Sequence, residues 1–398
     1  MSEATYGLRR SVPKGRRAVI AGVATSDYPY LPDMSEHGVH AQASRRALAD
    51  AGLSFSDVDG LATTGFIPMY AVGVAEYLGL DPVYLDETNT GGSSFEVLVE
   101  HAATAVEAGF CEIVLVTYGS VQLSSMGRML GTGGRGPVPM GPMSFDALWG
   151  NTLVGSYALA ARRHMHQYGT TPEQLADIAV TMRKHAEHNA MAQYRDPLTV
   201  DDVLASKLVA DPLHKLDCCV ISDGGGACIV TTAERAADLP TTPVYINGAA
   251  HAMTHHMNMS QMADLTVTAA DRSGPRAFAQ AGITASDVDV AELYDSFTIT
   301  VLLTVEDLGF CAKGEGGDFV AAGGLGLGGR LPTNTDGGGL SACHPGMRGM
   351  FLIVEAVRQL RGQAGATQVP DARIAVAHGT GGFLSTGATL VLSTEESL

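Results

Sequence analysis

Short apolar runs rich in β-branched residues, each bounded by turn formers, recur along the chain. They are "RAVIAGVA" at 17–24, "EIVLVTYG" at 112–119, "ACIVTTA" at 227–233, "PVYINGAA" at 243–250 and "RIAVAHG" at 373–379. Runs of this length and flanking predict buried strands. Between them lie stretches with helical spacing of apolar positions, such as "GGSSFEVLVEHAATAVEAG" at 91–109 and "HPGMRGMFLIVEAVRQLRGQAG" at 344–365. Alternating strands and helices predict an α/β chain whose mixed or parallel sheets are covered on both faces. Ser93 and Glu96 have the S-x-x-E spacing of a capping box, so a helix is expected to begin at Ser93. The backbone N–H groups of such a start favour developing negative charge.

The pattern occurs twice. "ALADAGLSFSDVD" at 47–59 and "AFAQAGITASDVD" at 277–289 share eight of thirteen residues. Each predicts a helix that ends at a glycine, Gly52 or Gly282, and then a turn into an apolar segment. A Gly turn, amphipathic helix and buried strand follow in both halves. An offset of roughly 230 residues with matched order predicts two related α/β halves, 1–240 and 241–398. The stretch from about 121 to 200 breaks the pattern and reads as an insertion on the first half. It opens with a Gly/Pro/Met-rich loop, "MGRMLGTGGRGPVPMGPM" at 126–143, and continues in two helical patterns. It suits either a cover over a greasy substrate or a plain surface lid or dimer contact.

Composition narrows the function. The 398 residues are 45% hydrophobic and 17% charged, enough for a large core. A net charge of −17 argues against nonspecific binding to nucleic acid or anionic membranes. No apolar stretch reaches 18 residues, so no membrane span is expected. The basic start with its brief apolar run reads as a first strand and not as a signal peptide. Six cysteines with no C-x-x-C pair predict neither zinc nor a disulfide scaffold, and fit a reducing cytoplasm. The adjacent His255 and His256 lack metal-ligand spacing and read as solvated loop. "GLGLGG" at 324–329 lacks the strand–turn–helix setting of a dinucleotide site.

"NTDGGGLSACHPG" at 334–346 resembles the N-x-x-G-G-x-x-x-x-G-H-P segment of thiolases, with Cys343 in place of the glycine before His344. "YDSF" at 294–297 resembles the N-E-A-F of thiolases and the H-D-C-F of the sterol-carrier-protein type. "EDLGFCAKGEGGDFV" at 306–320, "DPLHKLDCCVISDGGGACIV" at 211–230 and "QYGTTPEQLADIAVTMRKHA" at 167–186 are similar to the latter subgroup. The resemblance covers nearly the whole chain. It implies the thiolase fold, two duplicated halves in five α-β-α-β-α layers. Thiolases carry an acyl-accepting cysteine before the helix of the first half. Counting back from Gly109, and forward from Asn89, places that position at Gly92. The proton-transfer cysteine of the C-x-G-x-G stretch corresponds to His378 in "HGTGG", and the residue of the third motif to Tyr294. Of the four, His344 keeps its identity.

Glycine cannot form a thioester, so covalent thiolysis from position 92 is excluded by chemistry. What the resemblance leaves suits an enolate. His344 is the expected donor to a thioester enolate oxygen, and backbone N–H groups at Gly92 and Gly381 are a candidate anion nest. Losing the thiol is expected to clear room beside that nest. Tyr294 is expected to take the proton of a β-hydroxyl, although a free phenol titrates near 10 and needs a lowered pKa or a relay. Asp295 either orients a neighbouring base or is structural. His378 either protonates the enolate or is a hydrogen-bonded structural histidine. Cys343 reads as a buried structural thiol.

The combination predicts retro-aldol cleavage of a bulky β-hydroxyacyl-CoA to a ketone or aldehyde and a shortened acyl-CoA, as in thiolase-like aldolases of steroid side-chain degradation. CoA is then a substrate handle, and no cofactor is expected. By likeness to those aldolases the chain is expected to be a homodimer that works with a small OB-fold partner. Carbon–carbon condensation without an acyl-cysteine, or a catalytically silent lipid-CoA binder or scaffold, are the competing readings.

Overall fold

The first predicted strand forms β1 (Ala18–Thr25), and all eight of its residues are buried. Then come α1 (Glu36–Asp50), β2 (Gly60–Thr63), α2 (Tyr70–Leu78), β3 (Tyr84–Glu87), α3 (Ser94–Ala108) and β4 (Ile113–Ser120). This computed structural model describes residues 12, 15–65, 67–126, 143–149, 152–256 and 258–398. The Gly/Pro/Met-rich loop at 126–143 falls almost wholly outside them. Next are α4 (Gln122–Met126), α5 (Met143–Ala147), α6 (Leu153–Tyr168), α7 (Pro172–Ala186), α8 (Val200–Ala205) and a small hairpin, β5 (Leu208–Ala210) with β6 (Leu213–His214). The interruption therefore lasts longer than its helical patterns suggested, until β7 (Gly224–Thr232) resumes the sheet and α9 (Ala233–Ala236) follows. Local chemistry sets the new helices. α7 begins at Thr171, which exchanges side-chain bonds with Gln174, and Pro172 occupies its first turn.

The second half runs β8 (Val244–Met253), α10 (Ala270–Ala281), β9 (Val290–Leu293), α11 (Thr298–Asp307), α12 (Gly316–Ala321), α13 (Gly349–Leu360), β10 (Ile374–Gly381) and β11 (Thr386–Ser393). The strand order is β3-β2-β4-β7-β1-β8-β11-β10-β9. The duplication is explicit in this order. β2 and β4 are parallel and β7 and β1 continue antiparallel, while β9 and β10 are parallel and β11 and β8 continue antiparallel. The halves join where β1 meets β8, through Val19 opposite Tyr245 and Ile20 opposite Val244. The repeated sequence lands on matching pieces: α1, a tight turn and β2, then α10, a tight turn and β9. Gly52 and Gly282 follow those helices with φ of +70° and +76°, the left-handed geometry that ends a helix.

Among the described residues, the three largest hydrophobic clusters lie between the layers. α1 and α2 pack on the outer face of the first half, with Leu61, Leu115 and Ile229. α3 and α13 fill the middle, between inward residues of both halves such as Val116, Val230, Ala377 and Leu390. α6, α7, α10 and α11 cover the far face of the second half, with Leu293, Val376 and Val391. This is the expected five-layer arrangement, and it puts the starts of α3 and α13 side by side at its centre. Among the described residues no helix is long and apolar enough to cross a membrane, and no group of His, Cys, Asp and Glu could hold a metal ion. His255 is not solvated as its sequence suggested. It is buried over the β10–β11 connection, where Nε2 meets the Phe383 carbonyl at 3.1 Å.

Candidate active site

The turn before α3 is built from backbone. Asn89 donates Nδ2–H to the Gly65 carbonyl at 2.9 Å, and its Oδ1 accepts from Gly91 N–H at 3.0 Å. Gly91 has φ of +72°, and a Cβ there would lie 2.8 Å from Gly382 N. A Cβ on Gly92 would lie 2.5 Å from Tyr294 Cε2, and would also overlap Cζ and the Thr380 carbonyl. The space a nucleophile's side chain would need is thus filled by a phenol ring. The room expected beside the nest is not open at this point. Gly381 is as close-packed: a Cβ there would lie 2.5 Å from Thr386 Oγ1 and collide with the Thr90 carbonyl. The two predicted nest glycines therefore do belong to one contact between the halves.

The capping box does not form. α3 begins at Ser94, and the Ser93 side chain makes no cap. Its hydroxyl instead meets Thr386 Oγ1 of β11 and Thr90 Oγ1, each at 3.0 Å. Ser94 ties the turn, accepting from Thr90 N–H and donating to the Gly91 carbonyl. Glu96 is fully buried and neither of its carboxyl oxygens has a hydrogen-bond partner. It was missed as a site residue because its spacing from Ser93 reads as a cap. The signal was its place on the apolar face with Val99 and Ala103.

Tyr294 follows β9, with its N–H bonded to the His378 carbonyl at 2.9 Å. The residue is buried and belongs to the central core between the halves. Burial pushes its phenol well above 10, opposed by the backbone N–H of Arg348 at the start of α13. The group is therefore protonated at neutral pH, the opposite of the lowered pKa that a free base needs. Cys219 and Tyr157 sit near enough to raise it further. Burial also raises Cys219, so that thiol is not a ready nucleophile. Tyr157, from the insertion, donates to the Gly382 carbonyl at 3.2 Å and stacks on Phe297 at 4.3 Å.

His344 stands across Tyr294, with ring centroids 5.5 Å apart and planes at 84°. Its Nε2 is buried without a partner. Burial, and then the Arg348 charge, depress its pKa to about 4, so the imidazole is neutral. Several groups hold the loop that carries it. Ser222 Oγ accepts from His344 N–H at 2.8 Å and meets Cys343 Sγ at 3.1 Å. Cys343 is fully buried, as expected, with its thiol pushed up to about 12. Tyr118 donates to the Pro345 carbonyl at 2.5 Å and accepts from Met347 N–H at 3.2 Å.

Asp295 anchors the π-helical turn Gly338–Ala342 just before His344, accepting from Gly339 N–H at 2.7 Å and Leu340 N–H at 3.0 Å. The fully buried Arg348 bonds the Cys343 carbonyl at 2.8 Å and Asp336 at 2.5 Å, with Asp295 at 3.4 Å. Asp295 thus reaches the site through the loop that holds His344. Arg348→Met would leave two carboxylates without their cation. We expect a loss of about 3–5 kcal/mol, read from the urea midpoint.

His378 is not brought to this cluster by its side chain. Strand residues alternate between faces. Gly379 faces α3, where a Cβ would lie 2.7 Å from Ser93 Cα. The His378 ring faces the other way, with Nδ1 2.8 Å from Thr389 Oγ1, which in turn meets Ser273 of α10 at 2.9 Å. Burial depresses its pKa to about 3. Its carbonyl positions Tyr294, while its imidazole lies in another layer, away from an enolate formed beside Gly92.

Residues 250–394 match a family model described as thiolase C-terminal domain-like. A steroid side-chain-cleaving aldolase of Thermomonospora curvata is 38% identical, over 92% of this chain and 95% of its own. A 17-hydroxy-3-oxo-4-pregnene-20-carboxyl-CoA lyase of Mycobacterium tuberculosis is 35% identical, over 92% and 97%. Among solved structures, the Ltp2-ChsH2(DUF35) aldolase superposes with a TM-score of 0.85 at 36% identity, covering 95% of this chain and 98% of that one. Human mitochondrial 3-ketoacyl-CoA thiolase in complex with CoA, at 14% identity and a TM-score of 0.69, shares the fold. The chain belongs to the thiolase superfamily, in the sterol-carrier-protein-type branch that includes the steroid side-chain-cleaving aldolase.

Proposed function

We propose that this chain is a carbon–carbon lyase that cleaves a bulky β-hydroxyacyl-CoA, of the steroid side-chain type, by a retro-aldol reaction. The observation that carries the reading is Gly92, with the Tyr294 phenol packed where a nucleophilic thiol would stand. A site with no thiol at this position cannot hold an acyl-enzyme, yet it retains donors for an enolate. The β-hydroxyl proton leaves toward Tyr294, and the Cα–Cβ bond breaks to give the carbonyl product. The electron pair is held as a thioester enolate, toward which neutral His344 turns its unpartnered Nε2, a donor in the tautomer that carries the proton there. Protonation at Cα then gives the shortened acyl-CoA. CoA enters as part of the substrate.

The names of the relatives support the substrate class. The solved Ltp2-ChsH2(DUF35) aldolase supports a DUF35 partner subunit, and we extend this to an OB-fold partner and a homodimeric core. The test uses 17-hydroxy-3-oxo-4-pregnene-20-carboxyl-CoA, with and without the DUF35 partner. Cleavage of its C17–C20 bond must yield a 17-ketone and propionyl-CoA in equal amounts. Tight binding without either product, with the partner present, would favour a silent lipid-CoA binder.

A further inference from the structure

Glu96 has no role in that scheme, yet it is a buried carboxyl beside the site whose two oxygens are both left unused. It is fully buried, with Oε1 and Oε2 both unpartnered. Space for its carboxyl exists because two positions lack side chains. A Cβ on Gly349 would lie 2.6 Å from Oε2, and a Cβ on Gly379 would lie 2.6 Å from Cδ. The same Gly349 position is 2.8 Å from the Gly92 carbonyl. The residue before it, Arg348, turns its backbone N–H to the Tyr294 phenol. Glu96 and the Tyr294 hydroxyl thus flank one two-residue stretch at the start of α13. Glu96 also lies one helical turn after Gly92, and helical side chains lean toward the N-terminus, here toward that glycine.

We propose that Glu96 is the proton-holding residue behind Tyr294, exchanging a proton with the phenol through one bridging water. The inference rests on the retro-aldol reading and completes its proton balance. As the substrate O–H gives its proton to the Tyr294 oxygen, the phenol passes its own to the Glu96 carboxylate. The Cα–Cβ bond breaks, the β-carbon becomes a carbonyl and the pair resides on the enolate. Glu96 then returns the proton through Tyr294 to Cα. No co-reactant is consumed. A protonated phenol can act as a base in this way because its own proton has somewhere to go, and the His378 imidazole is not needed.

Other groups around Glu96 do not compete for this role. Cys228 of β7 is a buried thiol pushed above the ordinary range, partly by Glu96 itself. Tyr118 of β4 is committed to Pro345, and Arg348 to Asp336 and Asp295. Burial, with no charged partner, raises Glu96 to about 8. A holder that must start ionised therefore gives activity that rises with pH through about 8.

The test is kcat and KM against pH for wild type, Glu96→Gln and Glu96→Asp, on the same steroid thioester with the DUF35 partner. We expect Glu96→Gln to lower kcat about 10- to 100-fold with KM little changed, and to abolish the rise near pH 8. Glu96→Asp should restore part of both. Exchange of the α-hydrogens of propionyl-CoA in D2O, followed by mass spectrometry, asks the same question without the partner. There too Glu96→Gln should be slower than wild type. Unchanged kcat and pH profile in Glu96→Gln would overturn the role of Glu96 while leaving the lyase intact. A wild type that neither cleaves nor exchanges would overturn the lyase reading, and this inference with it.

Discussion

Tyr294→Phe will fold normally and lose about 10²- to 10⁴-fold in kcat/KM for carbonyl release, the range for removing a positioned acid–base group. The substitution removes one oxygen and keeps the ring. That ring fills the space beside Gly92 and stands against the His344 ring, so the packing should change little. The hydroxyl faces the Arg348 N–H, an orphan donor at the start of α13, so losing it should cost at most about 1–3 kcal/mol of stability. The loss should appear in kcat more than in KM. It should be matched in the D2O exchange of propionyl-CoA, since proton entry at Cα uses the same oxygen. Wild-type rates in Tyr294→Phe would move the proton-transfer role to His344.

Gly92→Ala will be both inactive and less stable. One methyl at this position meets the Tyr294 ring at 2.5 Å and the Thr380 carbonyl closer still. Real contacts of this kind must open by an ångström or more. The ring can shift only by disturbing the central layer, and the carbonyl belongs to β10. Overpacking of this sort costs about 1–3 kcal/mol, sometimes more. Gly92→Cys adds a sulfur to the same obstruction, so restoring the residue type of a thiolase will not restore thiolysis. The measurements are the urea midpoint and product release for both variants. A stable, thiolytic Gly92→Cys would show that the phenol yields easily, and the assignment of the site to cleavage without an acyl-enzyme would fail.

Much of this site could be read from sequence because it lies at motif positions with fixed local geometry. Gly92 was located from the glycine that ends α3 and from Asn89, and Tyr294 from its own motif, and the fold brings their atoms together. The duplicated order was visible because helix-ending glycines and apolar strands recur in both halves. Less legible was anything decided by partners far along the chain. Ser93 has the residue type of a cap, but its hydroxyl is drawn to Thr386, 293 positions away. Glu96 has the spacing of a cap partner, yet room for a buried carboxyl is made by glycines at 349 and 379. Arg348 carries no motif signal, and its role shows only where Asp295 and Asp336 close around it in the fold. His378 depended on strand phase, which a motif match does not supply: one residue's difference turns a side chain to the opposite layer.

The joint between β1 and β8 is brief, while the backbones of Thr90–Gly92 and Thr380–Gly382 press together without intervening side chains. The candidate site is therefore shared across the duplication, since one half supplies the glycine wall and the other the phenol and imidazole beside it. Neither half can accept a side chain alone at Gly91, Gly92 or Gly381: one added to either wall meets the backbone of the other. Such mutual constraint fixes the wall itself and leaves variation to the side chains that face it.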